Sequence, residues 1–215
     1  MLFRSKEGKS FSQYRIFEES KNFIRANKDK PFFAYLPWTP PHGQFGFPKD
    51  DPSWALYKDK PWKEDARIYA AMVNLVDREF GEVRSLLKEL GIDKKTIIVF
   101  TGDNGALNYF PDAEHPDGIF SPNIDPKTGV KFRGFKGQLY EGGLRVPYIV
   151  HWPGQIDGGR VSNHLCYYPD VMPTLADLAG IECPKGTDGL SFANELLGMN
   201  APGKQIPHEY LYWEH

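Results

Sequence analysis

The sequence predicts an α/β fold, with helices on both faces of a mostly parallel sheet. Three observations carry this. Residues 63–90 repeat apolar side chains at three- and four-residue spacing, the period of a helix with one buried face. Residues 97–101, directly after them, are an unbroken run of β-formers. An earlier helix-then-strand pair, 11–27 and 32–36, repeats the same order. The chain has 215 residues, enough for one substantial domain, and such a domain buries roughly 70% of the surface of its unfolded chain.

Taken in order, 11–27 suits a helix with Tyr14, Phe17 and Ile24 on one face, ended by Lys28-Asp29-Lys30-Pro31. Phe32-Phe33-Ala34-Tyr35-Leu36 then reads as a strand, stopped by Pro40-Pro41. Residues 43–62 form a long loop, and loops of that length inside a domain are usually functional. The helix over 63–90 is marked by Ile68, Met72, Leu75, Val76, Val83, Leu86, Leu87 and Leu90, with Gly91 as its C-terminal cap. After strand 97–101 a second irregular stretch, 105–132, leads to FRGFKGQLYEGG. Residues 146–152 read as a further strand closed by Pro153-Gly154. A short helix over 170–179 ends at Gly180, with Pro173 in its first turn.

Composition excludes several classes. A net charge of −2 gives no electrostatic reason for a nucleic-acid or anionic-membrane partner. No stretch approaches the ~20 apolar residues of a membrane span, and the polar N-terminus MLFRSKEGKSFSQYR lacks the apolar core of a signal peptide. Cys166 and Cys183 match no zinc spacing; they read either as one disulfide or as two buried thiols.

Four places could carry chemistry. Asp103-Asn104 stands between two glycines at the end of strand 97–101, where α/β sheets bind ligands. Its oxygens are hard ligands for Ca²⁺ or Mg²⁺, although Asp-Asn-Gly is also ordinary turn chemistry. His42 follows two prolines and could contact an anion or protonate a leaving group; a lone loop histidine is also a common surface residue. Lys136, between Gly134 and Gly137, offers a point charge to sulfate or phosphate, or a solvated side chain. Arg133, close to the lysine, could face a substrate.

Four stretches in order, FFAYLPWTPPH, TIIVFTGDNG, FRGFKGQLYEGGLRVPYIVHWPG and YYPDVMPTLADLAGI, resemble landmarks of the type I sulfatases of the alkaline-phosphatase-like superfamily. The resemblance runs from about residue 12 to the end, so 1–215 is similar to a central-to-C-terminal part of that catalytic domain. It implies an alkaline-phosphatase-like sheet and hydrolysis of sulfate esters, aryl or carbohydrate. It also implies Ca²⁺ at Asp103 and Asn104, and sulfate contacts by His42 and Lys136 as catalytic residues, with Arg133 beside the substrate. Two-metal, phosphate-cleaving relatives tend to have Asp-His where this sequence has Asp-Asn.

Sulfatases attack with a formylglycine made within Cys/Ser-x-Pro/Ala-x-Arg, and no stretch of this sequence fits that pattern. The strand with paired aspartates that completes the calcium shell in the family is also unmatched. Turnover by this chain alone is therefore expected to be negligible, and an unpaired sheet edge is expected to favour self-association. Two rival readings are a non-catalytic anion- or Ca²⁺-binding module and a phosphodiesterase or phosphonate hydrolase of the same superfamily. The family is often exported, but the sequence itself leaves the compartment open.

Overall fold

A computed structural model describes residues 11–120, 123–125 and 127–214. The described residues fall into two compact units, one of 11–93 with 105–144 and one of 94–104 with 145–214.

The first unit is built on two helices. α1 (Ser12–Asn27) buries Gln13, Phe17, Ser20 and Ile24. The short α2 (Pro52–Ala55) leads to α3 (Glu64–Glu89), whose acidic first turn, Glu64 and Asp65, suits the positive end of the helix dipole. Gly91, at φ +67°, ends α3 as expected, and Ile92 donates back to the Leu87 carbonyl at 3.0 Å. The predicted apolar stripe is the buried one: Ile68, Ala71, Met72 and Leu75 pack with Phe47 and Trp54.

Asp51 ties the three helices of this packing together. It caps α2 by accepting from the Ser53 amide at 2.7 Å, receives both Nη atoms of Arg78 at 3.1 and 2.9 Å, and accepts from the Tyr14 hydroxyl. Burial alone would raise its pKa. The hydrogen bonds from Arg78, Tyr14 and Ser53 outweigh burial and hold the carboxyl at about 2.

Rings staple the two long loops together. Phe45 lies 5.4 Å from Tyr109 and 5.0 Å from Phe110, while Tyr69 of α3 stacks on Phe120 at 5.1 Å. Part of 105–132, at positions 121, 122 and 126, lies outside the described residues, as does the polar 1–10 stretch.

Residues 32–36 form no strand, which corrects the sequence expectation. Exposure alternates along them as in a strand, with Phe33 at 72% and Tyr35 at 78%. The β-former run shows the alternation, but no described segment pairs with it.

In the second unit β1 (Ile98–Thr101) pairs with β2 (Tyr148–His151), Ile98 opposite His151 and Thr101 opposite Tyr148. This pairing is antiparallel, where the alternation of helix and strand suggested parallel neighbours. The reason is connectivity: the chain leaves β1 at Thr101 and re-enters at its partner Tyr148, so the second strand must run back. α4 (Glu141–Leu144) belongs to the excursion between them.

α5 (Val171–Ala179) ends at Gly180, at φ +66°, and contacts α6 (Ala193–Leu197). The fully buried Asp170 organises this region. Its carboxylate accepts from the Tyr167 and Leu190 amides at 3.0 and 2.8 Å and lies 2.8 and 2.9 Å from His208 Nε2. Cys166 and Cys183 are free and half-buried, which rules out the disulfide alternative. No helix among the described residues is long and apolar enough to cross a membrane.

Candidate functional site

The loop that carries Lys136 is made by backbone crossings too close for side chains. The Gly142 amide donates to the Arg133 carbonyl at 2.8 Å, and a Cβ on Gly142 would stand 2.1 Å from the Gly134 oxygen. Only glycine fits there. Gly105 makes a similar approach: its amide donates to the Gly143 carbonyl at 2.9 Å, and a Cβ on it would meet the Gly142 oxygen at 2.0 Å. One residue on, the Ala106 carbonyl accepts from the Lys136 amide at 2.9 Å. The backbone under Lys136 is therefore pinned.

The Lys136 side chain is half-buried, and its ammonium has no hydrogen-bond or ion-pair partner among the described residues. Lysines are mostly exposed or paired, so a half-buried lysine whose ammonium has no partner among the described residues is a candidate anion contact. Arg133 is exposed and lays its guanidinium on the Tyr140 ring, 3.9 Å from the centroid. Stacking uses the face of the guanidinium and leaves its N–H edge to donate.

His42 is exposed in the other loop, with its amide donating to Thr39 at 3.0 Å and Nδ1 3.4 Å from the Gly43 carbonyl. A Cβ on Gly43 would lie 3.7 Å from the Tyr109 hydroxyl and 3.6 Å from the Phe45 ring. The two loops are thus fastened to the same stretch, 105–110: the histidine loop through the Tyr109 ring, the lysine loop through the Ala106 carbonyl.

Asp103 and Asn104 belong to the second unit, while His42, Arg133 and Lys136 belong to the first. β1 delivers the pair, and Tyr168 steadies the strand end: its hydroxyl donates to the Gly102 carbonyl and lies 3.4 Å from Thr101 Oγ1. The Asp103 carboxylate is exposed and without a partner among the described residues, whereas Asn104 is half-buried and engaged.

The donor chemistry fits one side of a Ca²⁺ shell, one charged and one neutral hard oxygen, out of the about six to eight that the ion takes. No group of three or more His, Cys, Asp or Glu gathers among the described residues to complete it. Reading the sequence residue by residue missed the braces. Tyr168 sits in a quoted landmark, YYPD, but the contact it makes is with a strand 66 positions away.

The sulfatase family model matches residues 5–181. The chain belongs to the sulfatase family. It is 33% identical to mouse steryl-sulfatase over 203 residues, covering 92% of this chain and 29% of that protein. It is 30% identical to an endo-4-O-sulfatase of Bacteroides thetaiotaomicron, covering 80% of this chain and 32% of that protein. Mouse N-acetylgalactosamine-6-sulfatase is 37% identical over 147 residues, 67% of this chain and 25% of that protein. The chain therefore spans about a third or less of the length of these curated relatives.

Among solved structures, Ps i-CgsB in complex with k-i-k-neocarrahexaose superposes with a TM-score of 0.71 at 28% identity, covering 89% of this chain and 39% of that one. The fold of this sulfatase chain is α/β, a portion of the alkaline-phosphatase-like fold of its neighbours.

Proposed function

We propose that this chain carries one part of a site that hydrolyses sulfate esters. The supporting observation is the half-buried Lys136, its ammonium without a partner among the described residues, on a backbone pinned by Ala106 and the glycines. In this reading Lys136 grips the sulfate oxygens. His42 meets the same group and gives a proton to the leaving oxygen, where negative charge develops as the S–O bond breaks. Arg133 donates to the substrate beside it. Asp103 and Asn104 would supply two oxygens to Ca²⁺, and a bound Ca²⁺ would offset charge on the sulfate.

The nucleophile is not written in this sequence, which has no Cys/Ser-x-Pro/Ala-x-Arg stretch. The chain alone should therefore hydrolyse an aryl sulfate no faster than buffer does.

A cavity of about 450 Å³ lies beside the lysine loop. Asn108, Asp117, Asn123, Lys131, Arg133 and Gln138 line it together with the rings of Phe132 and Phe135. In this reading the amide and charged side chains would meet polar groups of the ester, and the rings would pack on its apolar face.

Calorimetric titration with inorganic sulfate at neutral pH tests the reading. The chain should bind at millimolar concentration, more tightly with Ca²⁺ present. Lys136→Ala should weaken binding about tenfold or more, the worth of one charge-assisted hydrogen bond. Asp103→Ala should remove the Ca²⁺ effect. Heats identical for wild type and Lys136→Ala would overturn the assignment.

A further inference from the structure

A buried pair links the two main helices of the first unit and lies outside the site. Gln13 of α1 is 0% exposed and Glu79 of α3 is 2% exposed, 66 positions apart in sequence. Gln13 Nε2 donates to Glu79 Oε2 at 2.6 Å. The other oxygen of each side chain, Gln13 Oε1 and Glu79 Oε1, is buried with no hydrogen-bond partner. An ionised carboxylate only accepts, and an amide oxygen only accepts. With Glu79 ionised, the pair would hold one hydrogen bond and two orphaned acceptors, each left with its desolvation cost unrecovered. A single proton on Glu79 supplies the missing donor for the missing acceptor.

We propose that Gln13 and Glu79 form a closed acid–amide pair in which Glu79 keeps its proton, a proton-dependent clamp between α1 and α3. In it Gln13 Nε2–H donates to Glu79 Oε2 while Glu79 Oε1–H donates to Gln13 Oε1. Each of the four buried polar atoms of the pair then has a partner.

The surrounding charges favour this state. On α3, Arg78 is committed to Asp51, the cap of α2, at 2.9 Å. On α1, Lys21 is committed to Glu18 at 2.7 Å and to Glu82 of α3 at 3.4 Å. Tyr14 of α1 spends its hydroxyl on Asp51. The nearby cations are thus answered by carboxylates other than Glu79. Burial is the largest influence on the Glu79 carboxyl and raises it; Gln13 and Arg78 pull it down, Glu82 and Asp51 push it up, and it settles at about 7 from an ordinary 4.5. A cavity of about 190 Å³ beside the pair is lined by Tyr14, Phe17, Glu18, Arg78, Glu79 and Glu82.

The linkage has a definite sign. The folded pKa lies above the unfolded one, so the folded unit binds the extra proton. The clamp contributes fully below about pH 4.5 and is lost as pH rises through about 7. Above that, α1 should loosen from α3.

A ¹³C NMR titration of the Glu79 carboxyl in the intact chain, together with melting curves between about pH 5.5 and 8.5, tests this. Glu79 should titrate near neutrality, more than a unit above the exposed glutamates. Glu79→Gln replaces the acid by an amide that makes both hydrogen bonds with no proton. It should fold, with a melting temperature that falls by several degrees less over that range than the wild type's. A Glu79 midpoint in the ordinary range, with water as the donor, would overturn the clamp, as would an unchanged pH slope in Glu79→Gln. If that variant does not fold, the wild-type titration decides alone.

Discussion

Lys136 and Asp103 carry opposite charges, and neither has a partner among the described residues. Each stands on backbone that is held from elsewhere: Lys136 by Ala106, the strand end before Asp103 by Tyr168. Asp51 shows the opposite economy, a carboxylate with every oxygen answered. Its folded pKa of about 2 lies below the ordinary 3.8, so its contribution is present above pH 3.8 and lost as pH falls through about 2. That difference is worth about 2 kcal/mol. Asp51→Asn should lower unfolding free energy by about 2–3 kcal/mol in urea at neutral pH and by much less near pH 2. An equal loss at both pH values would show that the carboxylate charge is not what matters.

At the scale of elements, the glycines of 132–143 decide whether the lysine loop exists. Gly142→Ala would drive a methyl group to 2.1 Å from the Gly134 oxygen, so the 133–144 loop must open. The variant should lose sulfate binding as fully as Lys136→Ala, and in addition lose thermal stability, which Lys136→Ala should keep. Circular dichroism melting beside calorimetry separates the two.

α3 was legible in the sequence because its own period writes the buried face: Leu75, Leu86 and Leu87 recur where a helix needs them and are buried. The 32–36 strand was overread because a run of β-formers sets the alternation of side chains but not the presence of a partner. The aromatic staple was not legible at all. Phe45, Tyr69, Tyr109 and Phe120 meet only after folding, and no local spacing announces them. The candidate residues were legible as separate local signals that the family resemblance joined, whereas their supports are mostly backbone groups, such as the Ala106 carbonyl, which residue type does not reveal.

At the scale of the whole molecule, several large apolar side chains stand exposed among the described residues. Phe33 and Tyr35 project from a segment that forms no strand, and Ile149 of β2 is 57% exposed. Such surfaces recruit other strands. Sedimentation should show association that grows with concentration, and the double variant Phe33→Lys, Tyr35→Lys should reduce it without changing helix content. A chain that stays monomeric at high concentration would count against this.

We propose sulfate at Lys136 and His42, and calcium at Asp103 and Asn104. A crystal structure of the chain grown with calcium chloride and sodium sulfate tests both most directly. Sulfate is expected within hydrogen-bond distance of Lys136 Nζ and His42, and a calcium ion on the side-chain oxygens of Asp103 and Asn104. A Lys136 side chain turned to solvent, with sulfate bound only elsewhere, would contradict the sulfate assignment.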